Sequence, residues 1–372
     1  MESHSWRVAD SRALLENTWG RWADLLVCCC QSMVMATDLD HKDVLARCVR
    51  DASLVMADIT ARHADVRGVE AKLGELWRQS ADFADEVSPQ EIVAALDPQP
   101  HHDKAVLLYD ADTWRVLDLV AIHARTMREL LSGPVESALV KVSRTWTLPR
   151  RPGRPDHLRL CDQVQPVSPD AAPGAFLHGV IFTIELCAAE LCAASLALDA
   201  LNVPSGLIVD LGKQVFDEMR HFQMLAGLLD RHETTIGDHP VDTLIWDKFL
   251  VGESLAERLV IEQRLGEGVG LDGGYALYEK YTADDDMEAA QCFDFINADE
   301  MTHVRNGNRW ISHLAGGDDN RAELDERMRA RLAGHSWPVR HSEPINIADR
   351  YLAEFTPGEI LSIKKMARTR PE

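Results

Sequence analysis

The segment Asp217-Glu218-Met219-Arg220-His221 returns later in the chain as Asp299-Glu300-Met301-Thr302-His303. Each copy contains Glu-x-x-His inside a stretch of helical periodicity. Residues three apart on a helix share a face, so the Glu and His of each copy can reach one metal ion together. The doubling extends upstream. Glu185 lies 33 residues before Glu218, and Glu267 lies 33 residues before Glu300. In the first half, about 16 residues run from Glu185 to a turn near Leu201, and about 14 run from the next helix start to Glu218. At about 1.5 Å per residue both arms are roughly 20–24 Å, so the two glutamates return to one depth in a helical hairpin. The equal spacing of the second half permits the same result.

Two such hairpins facing one another supply four carboxylates and two imidazoles to one bundle interior. That is the ligand set of a two-metal carboxylate site, with a Glu from each of two helices and Glu-x-x-His from the other two. Hard carboxylates with imidazole suit iron or manganese better than a thiolate-preferring metal. The expected ligands are Glu185, Glu218, His221, Glu267, Glu300 and His303. Glu190 and Glu262 are the alternatives to Glu185 and Glu267. Asp217 and Asp299 precede the motif glutamates, and a metal-bound His usually donates its other N–H to a carboxylate. Each Asp is expected to hold the His of the opposing hairpin, with Arg220 pairing to one of them. His178, seven residues before Glu185, either lines the pocket or is a structural His. Trp246 and Trp310 read as core residues, His101, His102 and His232 as loop or helix-end residues, and Cys28 to Cys30 as packing on an apolar helix.

The rest of the chain supports an all-α fold. Helical patterns run over roughly 7–37, 41–63, 67–84, 89–96, 111–131 and 135–144, and no alternating β-type run stands out. From Leu148 to Pro173 six prolines, Pro173 among them, exclude a continuous helix, and the stretch reads as a connector crossing the surface. Long helices come next over about 174–201, 205–232, 247–270 and 284–315, with Gly266–Gly274 ending or distorting the third. The expected organisation is an N-terminal helical domain (1–147), a proline-rich connector (148–173), a ferritin-like four-helix bundle carrying two metals (174–318), and a C-terminal wrapping segment (319–372).

Composition narrows the function. The 372 residues carry a net charge of −21, a poor basis for contacting phosphates, so no nucleic-acid partner is expected. No apolar stretch reads as a membrane span, and the start lacks the order of a signal peptide. The eight cysteines have no zinc or disulfide spacing, which suits a reduced cytoplasmic interior.

With these residues in hand, the chain resembles the ferritin-like DUF455 family, within the broader ferritin-like di-iron superfamily. The landmarks span about Leu148 to Lys364. They include Pro152-Gly153-Arg154-Pro155, Thr183-Ile184-Glu185-Leu186, Asp217-Glu218-Met219-Arg220-His221-Phe222, Gly237-Asp238, Trp246, Glu267 with Gly270-Leu271-Asp272, Asp299-Glu300 with His303, Pro344-Ile345-Asn346, and Phe355-Thr356 with Glu359. The resemblance implies a ferritin-like bundle with a two-metal site and supports the same six ligands. Two positions depart from it: Asp242 stands where the family often has His, and Val269 where it often has Arg. Residues 1–147 have no match in it.

The expected activity is that of an O2-dependent di-iron oxidase or oxygenase acting on a small molecule by hydroxylation, desaturation or N-oxygenation. It would use two Fe ions (or Mn), O2 as co-substrate and an external reductant, with an electron-donor protein as a compatible partner and a homodimer as a compatible assembly. The alternatives are a non-catalytic metal storage or binding protein and a tRNA-modifying hydroxylase; the net charge weighs against the latter.

Overall fold

The computed structural model describes residues 7–67, 88–96, 108–132, 146–161, 172–199, 203–335 and 344–368. The helix expected from 135 to 144, almost all of that expected over 67–84, and His101 and His102 lie outside these residues. Among the described residues the protein is helical, with no strand; residues 160 and 241 form an isolated bridge. The all-α expectation holds. The chain forms two compact units, one of Met1–Pro155 with Cys192–Phe216 and one of Asp156–Leu191 with Asp217–Glu372.

In the first unit, α1 (Val8–Met35) packs against α2 (Leu39–Arg67), and α2 against α4 (Ala111–Leu131); α3 (Pro89–Ala95) contacts α1 and α4. Leu15, Trp19, Trp22, Leu25, Leu26 and Met33 of α1 face Leu45, Val49, Met56 and Ile59 of α2, all buried. Cys28, Cys29 and Cys30 are fully buried in the same core, in keeping with packing. The end of α1 explains a sequence landmark. A helix leaves its last carbonyls without partners in its own backbone. Here Ser32 O accepts from the Ala36 amide, Met33 O from the buried Lys42 ammonium, and Val34 O from the Gly153 amide at 2.8 Å. Gly153 approaches so closely that a Cβ would meet Met35 O at 2.2 Å, so only glycine fits. Pro152, Arg154 and Leu158 are buried, so this part of the expected surface connector is anchored rather than exposed.

The second unit contains the doubled motif. The first hairpin comes from α5 (Pro173–Asp199) and α6 (Ser205–Leu229), of which the part up to Leu191 and the part from Asp217 belong to this unit; α6 ends in a 3-10 turn at Asp230–His232. By length and hydropathy α5 could cross a membrane, contrary to the expectation that no stretch qualifies; 89% of its most apolar window is buried inside the protein, and it carries Glu185 and Glu190. A short α7 (Leu244–Phe249) seals Trp246 and Phe249 in the core. It ends before Gly252, and α8 begins at Leu255 under a Ser254 cap. The single helix expected over 247–270 is therefore broken before Leu255. Nor does the glycine stretch stop it: α8 runs over 255–283, and α9 (Met287–Ala315) returns antiparallel.

The glycines set that return. A Cβ on Gly274 would meet Asn297 Oδ1 at 2.0 Å, and one on Gly307 would meet Gln263 Cβ at 2.4 Å. The two close approaches pin α8 to α9 in a register that places Glu267 across from His303. The C-terminal segment folds into α10 (Asp318–Leu332), α11 (Ile347–Leu352) and α12 (Pro357–Arg368). Ala353, Phe355, Ile360 and Ile363 pack on Leu271 of α8 and Val304 of α9.

Candidate metal centre

Four helices, α5, α6, α8 and α9, bring the six expected ligands together in two overlapping groups. One consists of Glu185, Glu218, His221 and Glu300, the other of Glu218, Glu267, Glu300 and His303; within each, one ligand atom per residue lies within 4.8 Å of the others. Glu185 and His221 belong to the first group alone, and Glu267 and His303 to the second alone. Glu218 and Glu300 stand in both. Neither Glu190 nor Glu262 joins a group, although both are buried.

Both histidines turn Nδ1 inward. His221 Nδ1 is 3.2 Å from Glu185 and 3.3 Å from Glu218; His303 Nδ1 is 3.2 Å from Glu218. Their outward nitrogens meet aspartates of the opposing motif. His221 Nε2 is 3.3 Å from Asp299 Oδ2, and His303 Nε2 is 3.3 Å from Asp217 Oδ2. An Nε2–H donating to Asp leaves the Nδ1 lone pair free for a cation. Arg220 donates to both aspartates, so one guanidinium joins the two motifs.

The electrostatics are those of ionisable groups crowded together away from water. Burial, with neighbouring carboxylates adding to it, raises the carboxyls of Glu185, Glu267 and Glu300 above the usual range. Burial pushes Glu218 the same way, but its bonds to His221 and His303 outweigh that and hold it low. Burial disfavours the charged form of both histidines, yet the surrounding carboxylates win: His221 is raised well above its ordinary value and His303 to about 9. Without a cation the imidazolium charges and retained carboxyl protons are what limit the repulsion. The donor set, four carboxylates and two imidazole nitrogens, fits two hard or borderline divalent ions such as Fe(II) or Mn(II). Glu218 and Glu300 would be shared between the two ions.

Two features escape a reading of the sequence. Residues Ile181–Glu185 and Val260–Glu267 are π-helical, and each segment ends on a candidate ligand. A π turn inserts a residue into a helix and rotates the side chains beyond it, often at functional sites. Periodicity gives no warning in α5, because almost every residue there is buried and no apolar stripe exists to slip. The second feature is a pair of buried guanidiniums flanking Glu267, those of Arg264 and Arg350.

The other candidates fall outside the groups. His178 is buried and accepts the Gly237 amide on Nε2 at 3.0 Å, packed on Phe182. Burial lowers it to about 4, so it is neutral. Gly237 makes that turn with φ of 103°, a left-handed conformation that favours glycine. Trp246 is core, as expected, whereas Trp310 is half-buried and packs edge-on against His313. His232 ends α6. Asp242, one of the two departures from the family pattern, is buried and accepts the Leu244 amide at the start of α7, a local structural role.

Fold and site together define an all-α protein with a buried cluster of four glutamates and two histidines. A family model described as "Protein of unknown function (DUF455)" matches residues 117–361, so the likeness begins before Leu148 and takes in residues 117–147, which were expected to lie outside it. The chain belongs to that family. No curated protein and no solved structure matches it.

Proposed function

We propose that this protein is a ferritin-like four-helix-bundle oxidase or oxygenase that uses two metal ions, iron or manganese, and O2 to oxidise a small molecule. The observation carrying this reading is the sharing of Glu218 and Glu300 between two otherwise separate Glu-plus-His groups. Two ions held by shared carboxylates would lie close enough to act on one molecule.

Two bound ferrous ions would supply the electron pair that O2 reduction requires. For a hydroxylation the balance is one O2, two electrons and two protons per C–H converted to C–OH, with one water released. The two electrons must be restored each cycle by an outside donor, for which an electron-donor protein is the natural class. The chain's own groups set the geometry. Asp217 and Asp299 fix the tautomers of His303 and His221, Arg220 ties the two aspartates together, and apolar walls such as Phe182 and Phe222 keep the interior dry. None of the eight cysteines is disulfide-bonded, and a reducing, cytoplasmic setting suits such a chain.

The test is anaerobic Fe(II) titration of the full chain, then exposure to O2 and a chemical reductant, with product analysis on candidate amines, amino acids and small acids. Two ions per chain, repeated O2 turnover and an oxidised product are expected. Uptake of many ions per chain with deposition of ferric mineral, and no altered small molecule, would replace this reading by storage.

A further inference from the structure

The two halves of the centre are held by different means. In the Glu185 half the residue three before the ligand is Phe182, whose ring packs on Phe222 with centroids 5.7 Å apart. In the Glu267 half the corresponding residue is Arg264, whose side chain is only 2% exposed. Its guanidinium donates to Asp325 at 2.9 Å, to Glu359 at 2.8 Å and to Asn308, and lies 4.6 Å from the centre of the Phe355 ring. On the other side of Glu267, the fully buried Arg350 donates to the Gly268 carbonyl at 2.6 Å and to both oxygens of Asp272. Asn346 adds its amide to Asp272 at 2.7 Å. Glu359, Phe355, Arg350 and Asn346 all belong to the C-terminal segment 344–368.

These contacts bracket one ligand. Arg264 is three residues before Glu267, Gly268 is the next residue, and Asp272 is five after. Glu267 also closes a π-helical stretch, a departure from α-helical geometry that often marks a functional site. A bidentate Arg–carboxylate pair fixes direction as well as distance.

We infer that segment 344–368 is a positioning clamp for Glu267: Arg350 on Gly268 and Asp272, together with Glu359 on Arg264, holds this ligand in place, so that the Glu267–His303 ion depends on the C-terminal segment and the Glu185–His221 ion does not. The inference rests on the two-metal reading, deepens it by making the two ions unequal, and assigns Arg350, Asp272, Arg264 and Glu359 as positioning residues.

The experiment counts Mn(II) bound to the full-length protein, using the electron spin resonance of the free ion, with circular dichroism as the fold control. Removing one partner of a buried pair would leave a buried charge, whereas replacing both with apolar residues of similar size is often tolerated. The main variant is therefore Arg350→Met with Asp272→Leu. Glu359→Gln weakens the other tether without opening a cavity. Wild-type protein binds two ions. Each variant keeps the first ion at wild-type affinity and binds the second about 10–100-fold more weakly. Combined with Glu267→Ala the main variant has no further effect; combined with Glu185→Ala it weakens the ion that remains by the same factor. Arg309→Ala breaks an exposed pair to Glu354 in the same segment and leaves both ions in place. Wild-type binding of two ions by the folded main variant, equal weakening of both ions, or loss of an ion from Arg309→Ala would overturn the clamp. Wild-type protein that binds no ion would instead sink the two-metal reading itself.

Discussion

The Asp217 carboxylate lies 3.3 Å from Nε2 of His303, across the centre, and not against His221, the histidine of its own motif. Asp299 makes the reciprocal contact to His221. Each Asp-Glu-x-x-His motif thus contributes its His to one half of the centre and its Asp to the other half's His. A helical reason exists: Asp217 and His221 are four apart, but the Asp must sit on the outer side of the imidazole, which only the opposing helix reaches.

This crossing makes a specific expectation for single variants. Asp217→Asn should weaken the ion held by Glu267 and His303, and Asp299→Asn the ion held by Glu185 and His221, each by about 10–100-fold with the fold retained. A double-mutant cycle on Mn(II) affinity checks it. Asp217→Asn should couple to His303→Ala and act independently of His221→Ala. Coupling within the same motif would refute the crossed arrangement.

The ligands that belong to one half should behave differently from those in both. His221→Ala and His303→Ala each remove a neutral donor with no substitute nearby, so each should cost one of two Fe(II) ions. Glu218→Ala and Glu300→Ala remove a carboxylate present in both groups, so each should weaken both ions. Anaerobic Fe(II) titration resolves the two classes by stoichiometry. Equal behaviour of all four variants would count against shared glutamates.

Much of this centre was legible because helix geometry converts spacing into position. Glu218 with His221 and Glu300 with His303 sit three apart, and the matched 33-residue intervals bring Glu185 and Glu267 to the same depth. That spacing also separated them from Glu190 and Glu262, which join neither group. The π-helical segment of α5 was not legible, since a one-residue insertion leaves no trace in a helix buried on nearly all sides; that of α8 includes Gly266, the first residue of the stretch expected to end or distort this helix. The continuation of α8 to Ala283, past the expected end near residue 270, was not legible either. Glycine weakens an isolated helix, but here the packing of α8 against α9 overrides propensity. Arg350 and Asp272 lie 78 residues apart, and only the fold discloses that they meet.

The packing of α8 on α9 can be tested at Gly307. An added Cβ would lie 2.4 Å from Gln263 Cβ and 2.7 Å from its Cγ, atoms near the backbone that cannot swing clear. Gly307→Ala should force α8 from α9 and destabilise the protein by about 1–3 kcal/mol. It should also weaken the ion between Glu267 and His303 more than the other. Gly274→Ala meets the end of the Asn297 side chain, which can rotate away, and should cost less. Denaturant melts of the two variants, alongside Mn(II) titration, compare them directly.

The pH dependence of the metal-free protein has a definite sign. Without metal His303 is raised to about 9, and His221, Glu185, Glu267 and Glu300 are raised as well. A group whose pKa is higher folded than unfolded binds its proton more tightly in the folded state. Its contribution is complete below the unfolded pKa and is lost as pH rises through the folded one. For His303 that window runs from about 6.5 to about 9. Glu218 is shifted the other way, but its contribution is already complete near neutral pH and does not vary across this window. The metal-free protein should therefore lose thermal stability as pH rises from about 6.5 to about 9. A bound divalent ion requires neutral imidazole and ionised carboxylates, so it competes with these protons, and its affinity should rise over the same range with protons released on binding. Melting curves with a chelator and with Mn(II) would then diverge as pH increases, the first falling while the gain from metal grows. A metal-free Tm that is flat or rising between about pH 6.5 and about pH 9, or Mn(II) binding that releases no protons near neutral pH, would show that the histidines do not carry the charge that the cluster demands of them.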